Sequence, residues 1–321
     1  MLFLRRSASL VRNHHHHLQA GHRSFASGSH TFEFIHKPDF RPRRIILLRH
    51  GESLGNVDES AYVTTADWRI PLTDLGIEQA VEAGKCLREK IEEDSKVVFY
   101  HSPYLRTKQT LDELLPHFSD SEILSCLEEP RICEQQIGNF QNVQEVLDAK
   151  KERSKFGRFF YRFPSGECAL LTCVAYTFTL TLGYALMRYL TAITIESVGE
   201  AGLDVYNRVS SFIPTLVRDL DRHRRSGIDM DNVSVVIVTH GLALRLFLMR
   251  WFQWSVECFE ESQNPGNCEL VTMNKRKDDE GHAWMELEEK DRQSLCLSDD
   301  CAVPRNVHLH RKKSVLHYPS S

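Results

Sequence analysis

An arginine followed by a histidine can handle phosphate: a neutral imidazole is a nucleophile, and a guanidinium forks onto anionic oxygens. The chain carries this pair as Arg49-His50-Gly51-Glu52, directly after the apolar run Ile45-Ile46-Leu47-Leu48. A second histidine, His240, follows the largely β-branched run Val233 to Thr239 and precedes Gly241. A third apolar run, Val97-Val98-Phe99-Tyr100, leads into Ser102-Pro103-Tyr104-Leu105-Arg106-Thr107, which supplies a second arginine. One such residue could be a satisfied strand-end side chain. Two histidines and two arginines at three strand ends are hard to explain as packing.

These residues can meet only if the three runs are neighbouring parallel strands, because parallel strands present equivalent ends at one edge of a sheet. Helical patterns follow each strand. Leu75 to Asp94 carries Ile77, Ala80, Val81, Gly84, Leu87 and Ile91 on one stripe, and Ser102 is placed to cap the helix holding Arg106. The strand and helix order predicts an α/β fold, a three-layer α/β/α domain with a mostly parallel central sheet. Helices are expected at 75–94, 104–116, 203–225 and 241–252, with a smaller cap near 128–165.

The ordered set of motifs resembles the histidine phosphatase superfamily, in its phosphoglycerate mutase-like branch. The matching residues are Arg49-His50-Gly51-Glu52-Ser53 with Asn56, Pro71-Leu72-Thr73 with Gly76 and Gln79-Ala80, and Ser102-Pro103 with Arg106 and Thr110. Glu134 four before Gly138, Gly166-Glu167, and Thr239-His240-Gly241 complete the set. The resemblance implies a phosphoglycerate mutase-like fold and a phosphatase working on a small phosphorylated metabolite through a phosphohistidine.

In that reading His50 is the nucleophile, kept neutral by Arg49 and Arg106, which also bind the phosphoryl oxygens. His240 donates to the same oxygens in the transition state. Glu134 matches the family's proton donor, which an alkoxide leaving group requires. Ser53 and Asn56 could hydrogen-bond the phosphate or stabilise the loop, and Gly51 would let backbone amides approach the anion. No metal or other cofactor is implied. Cofactor-dependent mutases of the family carry an arginine and a tyrosine where this chain has Gln135-Gln136-Ile137, so phosphatase is expected over mutase-type phosphotransfer.

Composition agrees with a globular enzyme. A net charge of −4 gives no case for a nucleic-acid partner. Nine cysteines without a Cys-x-x-Cys pair point to free thiols in a reducing compartment, and the His14 to His17 run has no further ligands around it. Oligomeric state leaves no mark in the sequence.

The expected organisation is a basic extension over 1–40, a catalytic domain over 41–275 and a partly disordered tail over 276–321. The extension is poor in acids and contains Arg5, Arg6, Arg12 and Arg23, so it reads as a mitochondrial transit peptide or as a merely basic extension of a cytoplasmic protein. An atypical segment, 168–202, separates Gly166-Glu167 from the helical Asp204-Val-Tyr-Asn-Arg208 pattern. Its uncharged stretch, within 169–187, is nearly long enough to cross a bilayer. Such a span would tether one catalytic half, so the segment is read as an aberrant insertion rather than a membrane anchor or cap helix. A chain disturbed by it, non-catalytic or misfolded, is the rival to the enzyme.

Overall fold

The structure, a computed structural model, describes residues 39–138, 140, 142–163, 199–298 and 301. Its centre is a six-stranded sheet of β1 (Arg44–Arg49), β2 (Lys96–His101), β3 (Ile123–Glu128), β4 (Val233–Thr239), β5 (Leu270–Lys277) and β6 (Ala283–Leu287), in the order β3-β2-β4-β1-β5-β6. The first four are mutually parallel, while β5 and β6 add an antiparallel edge. Parallel strands covered on both faces bury nearly every residue, which is why the central three read as near-continuous apolar runs. Every residue of β4 is buried.

Among the described residues the α-helices longer than four residues are α1 (Asp74–Lys90), α2 (Leu105–Leu114), α3 (Val143–Phe156), α4 (Gly202–Arg225), α5 (Gly241–Phe252), α6 (Val256–Glu261) and α7 (Glu289–Ser294). Alternation along the strands sorts the core into two layers. Ile45, Leu47, Val98, Tyr100, Val235 and Ile237 pack against α4 and α5. Ile46, Leu48, Val97, Phe99, Val236 and Val238 face α1 and α2. The expected α/β/α layering is thus present. A satellite core of Phe140, Val146, Ala149 and Phe163, with Val63, Ile137 and Tyr161 against it, forms beside α3.

Three expectations are corrected. The sheet runs past 275, where the sequence pattern ended the domain: β5 continues to Lys277, β6 pairs with it, and Met285, Leu287 and Leu295 join the main core. An unbroken charged run, Lys275 to Glu280, joins the two strands of this edge hairpin, so it reads as tail. The cysteines are not all free either, because Cys258 is joined to Cys301 across 43 residues, a separation that leaves no spacing signal. Helix α1 ends at Lys90 rather than 94, since Ile91 is extended and Asp94 takes a positive φ of 66°.

Among the described residues no helix is long and apolar enough to cross a membrane. The extension up to residue 38, Gly166-Glu167, the uncharged stretch up to Met187 and the tail beyond Cys301 lie outside the described residues. The described chain is close to itself on either side of residues 164–198. The carbonyl of Gly199 accepts from Arg162 Nη1 at 3.0 Å, and a Cβ on Gly199 would lie 2.6 Å from that of Phe163.

Candidate active site

Strand register gathers the chemistry. Arg49 stands opposite Thr239, and His101 opposite Val238, so His50, His240 and Ser102 leave the sheet at one edge. The chain stays tied as it exits: the His50 amide donates to Thr239 O at 3.0 Å, and that of Ser102 to Val238 O at 3.1 Å. The imidazoles of His50 and His240 meet edge to face, with centroids 5.2 Å apart.

His50 is held in one protonation state by its two neighbours. Its Nδ1 lies 2.7 Å from Gly51 O, which can only accept, so Nδ1 carries the proton. Its Nε2 receives the Arg106 Nε–H at 3.2 Å, so Nε2 presents a lone pair. Burial lowers the His50 pKa well below the ordinary histidine value, and Arg106 and then Arg49 push it the same way. His240 is lowered well below that value by burial, then by Arg106 and His50. Its Nε2 lies 2.9 Å from Ser102 Oγ, while its buried Nδ1 has no hydrogen-bond partner among the described residues.

Arg106 is 3% exposed and heavily committed. Its Nη1 donates to Asp67 O at 2.8 Å and Asp67 Oδ1 at 2.9 Å, and its guanidinium lies over the Tyr104 ring. The Tyr104 ring in turn meets His240 edge to face. Arg49 Nη1 donates to Pro265 O at 2.8 Å, and burial lowers the Arg49 pKa while nearby Glu134 opposes that shift.

Glu134 is half-buried on the loop after β3 and accepts from the Gln135 amide at 2.9 Å. It lies within electrostatic reach of Arg49, Tyr62, Tyr104 and Arg153. All four groups named first from the sequence, and Glu134, therefore share one neighbourhood.

Ser53 and Asn56 hydrogen-bond to each other within the loop. Asn56 Oδ1 accepts from the Ser53 amide at 3.0 Å and Ser53 Oγ at 3.2 Å. The Gly51 amide itself is engaged, donating to Thr110 Oγ1 at 3.1 Å. Glycine is required there for another reason: a Cβ would collide with the carbonyl of Gly76 as the loop crosses the start of α1.

Sequence reasoning missed Asp67, Tyr104, Asn267 and Arg245. Asn267 Nδ2 supports the loop after β1 by donating to His50 O at 3.0 Å. Arg245, fully buried on α5, donates to Asn264 Oδ1 at 2.8 Å, and the Asn264 side chain packs against Gly241. Tyr104 lay visible between two motif residues. Asp67 carries no signal, because nothing in its spacing connects it to Arg106. Among the described residues no group of three or more His, Cys, Asp or Glu could hold a metal ion.

The family model described as Histidine phosphatase superfamily (branch 1) matches residues 45–170 and 187–286, which leaves 171–186 unmatched within the atypical segment. The chain is 41% identical over 247 residues to Phosphoglycerate mutase-like protein AT74H of Arabidopsis thaliana, covering 74% of this chain and 76% of that one. It is 44% identical over 237 residues to Phosphoglycerate mutase-like protein AT74 of the same plant, covering 72% and 65%. Broad-range acid phosphatase DET1 of Saccharomyces cerevisiae is 29% identical, covering 73% of this chain and 85% of that protein. Among solved structures, Mycobacterial hydrolase 2 matches with a TM-score of 0.52 at 20% identity, over 81% of this chain and 94% of that one, a likeness of fold.

Proposed function

Since the chain belongs to the histidine phosphatase superfamily, we propose that it is a phosphatase that moves a phosphoryl group from a small phosphorylated metabolite to His50 and then to water. The observation that carries this reading is the pair of hydrogen bonds on His50, which leave a neutral ring with its Nε2 lone pair at the sheet edge. The name of the yeast relative, broad-range acid phosphatase, supports the same reaction class.

In the first step the His50 Nε2 lone pair forms the bond to phosphorus as the ester P–O bond breaks. Glu134, protonated, gives its proton to the departing oxygen. Arg49, Arg106 and the Nδ1–H of His240 receive the charge spread over the phosphoryl oxygens. For His240 this requires Nε2 to accept from the Ser102 hydroxyl, which leaves the orphan Nδ1 as a donor. In the second step the Glu134 carboxylate takes a proton from water, the water oxygen attacks phosphorus, and the P–N bond breaks to return neutral His50 and inorganic phosphate. Arg106 must lose its contact with His50 Nε2 as phosphorus arrives, and it is then placed against the phosphoryl oxygens.

A second reading is favoured by one observation. Arg153 lies within electrostatic reach of Glu134 and of Arg158, and its Nη1 donates to Gln135 Oε1 at 3.4 Å, next to Glu134 in the chain. Such cations suit a substrate with a second anionic group, a sugar or organic-acid phosphate, and would also serve mutase-type phosphotransfer.

The test is a panel of sugar phosphates, phosphorylated organic acids and aryl phosphates, scored for inorganic phosphate. Release from at least one class, abolished in His50→Ala and indifferent to chelator, is expected. Isomerisation of a phosphorylated acid without phosphate release would replace phosphatase by mutase.

A further inference from the structure

Arg208, on the first turns of α4, uses all five of its guanidinium N–H groups. Nη1 donates to Arg131 O at 2.9 Å and Cys133 O at 2.8 Å. Nη2 donates to Glu134 O at 2.8 Å and Glu200 Oε2 at 3.0 Å, and Nε donates to Glu200 Oε1 at 3.0 Å. Glu200 grips the same loop from its other end. Its amide donates to Gln136 O at 2.7 Å, its Oε2 accepts from the Gln136 amide at 3.0 Å, and its carbonyl accepts from Gln135 Nε2 at 2.8 Å.

Between them, one arginine and one glutamate bind the backbone at 131, 133, 134 and 136, the residues flanking and including Glu134. Neither side chain makes a hydrogen bond to His50, Arg106 or His240 among the described residues. Both are largely buried, with side chains 19% exposed, so the pair is sheltered from screening. The sequence pattern pointed to Gly166-Glu167 for the Gly-Glu turn, but Gly199-Glu200, a second copy of the dipeptide just before α4, makes these bonds.

We infer that Arg208 and Glu200 are positioning residues for the general acid: their ion pair fixes the 131–136 backbone and thereby sets where the Glu134 carboxyl meets the leaving oxygen. This rests on Glu134 being the proton donor. The geometry demands a planar fork, since a lysine ammonium has three donors and cannot reach three carbonyls and a carboxylate together. Misplacing a catalytic group by about 1 Å can cost roughly 10²-fold in rate.

The test compares an alkyl phosphate, whose alkoxide needs the proton, with an aryl phosphate, whose phenolate leaves readily. Arg208→Lys and Glu200→Gln should each lower kcat on the alkyl substrate at least tenfold, with little change on the aryl one. In the Glu134→Gln background, Arg208→Lys should cause no further alkyl-specific loss. A chain made unstable by Arg208→Lys would lose both activities together, and Glu200→Gln, which keeps side-chain size, then decides the matter. Equal losses on both substrates from Glu200→Gln, or none on either, would overturn the inference. If Glu134→Gln shows alkyl selectivity and Glu200→Gln does not, positioning fails while the acid stands. If Glu134→Gln shows none, both fall.

Discussion

Arg106 Nε donates to His50 Nε2 at 3.2 Å, so the cation that would bind phosphate also guards the atom that would attack it. A guanidinium cannot coexist with a protonated Nε2 at that distance, and both face a buried environment. The same contact therefore favours a neutral His50 and, under the proposed function, marks where the phosphoryl group would enter.

The pH dependence follows with a definite sign. Folded His50 and His240 have pKa values depressed well below the ordinary 6.5, mainly by burial. Between the folded and unfolded values the unfolded chain binds more protons, so stability rises with pH there. Their contribution is fully present above about pH 6.5 and is lost as pH falls through the folded pKa values. Thermal unfolding measured from pH 8 to 4 should show Tm falling on the acid side, and Arg106→Gln should raise the His50 pKa seen by NMR. An unshifted or lower value would contradict the coupling.

Removing single phosphate-binding groups should be costly. Arg49→Ala, Arg106→Ala and His240→Ala are each expected to lose roughly 3 kcal/mol of transition-state stabilisation, the scale of one oxyanion donor. Values of kcat/KM with a common substrate check this, with circular dichroism confirming the fold.

Asp67 should oppose anions at Arg106. It is partly exposed and pairs with Arg106 Nη1 at 2.9 Å. Asp67→Asn keeps an acceptor and removes the charge, so inhibition by inorganic phosphate should tighten about fivefold, corresponding to ~1 kcal/mol for a screened pair. Weaker inhibition would mean that Asp67 acts chiefly by orienting Arg106.

The atypical segment should be dispensable. Phe163 and Gly199 are neighbours, and Arg162 forms a bridge with Ala201, so the described chain leaves and returns at one place. Deleting residues 167–199 leaves a single Gly-Glu turn before α4. The shortened chain should unfold cooperatively at an equal or higher Tm, because closing a shorter loop costs less entropy, with turnover at least equal. A large loss of stability or turnover would show that the segment belongs to the working enzyme.

What could be read from the sequence was whatever one strand or one helix dictates alone. The runs at Ile45 to Leu48, Val97 to Tyr100 and Val233 to Thr239 are uncharged and mostly apolar because both faces are covered, and their shared endings revealed the site. The β5–β6 edge escaped notice because Lys275, Arg276 and Lys277 lie at the end of β5, where exposure rises. Asp67 and Arg208 were hidden for a different reason: each acts on a residue brought near only by the tertiary fold. The duplicated Gly-Glu pair could not be resolved by pattern, since both copies fit it and only hydrogen bonding distinguishes Glu200.

A covalent phosphohistidine on His50 is the claim on which the rest depends. Rapid acid-free quenching with a substrate labelled in its phosphoryl group should trap a phosphoenzyme that is labile to acid and stable to base, with the label on His50 by peptide mass spectrometry. His50→Ala should abolish label and turnover together. Full turnover in His50→Ala, or a label found on another residue that forms and decays at the turnover rate, would contradict it.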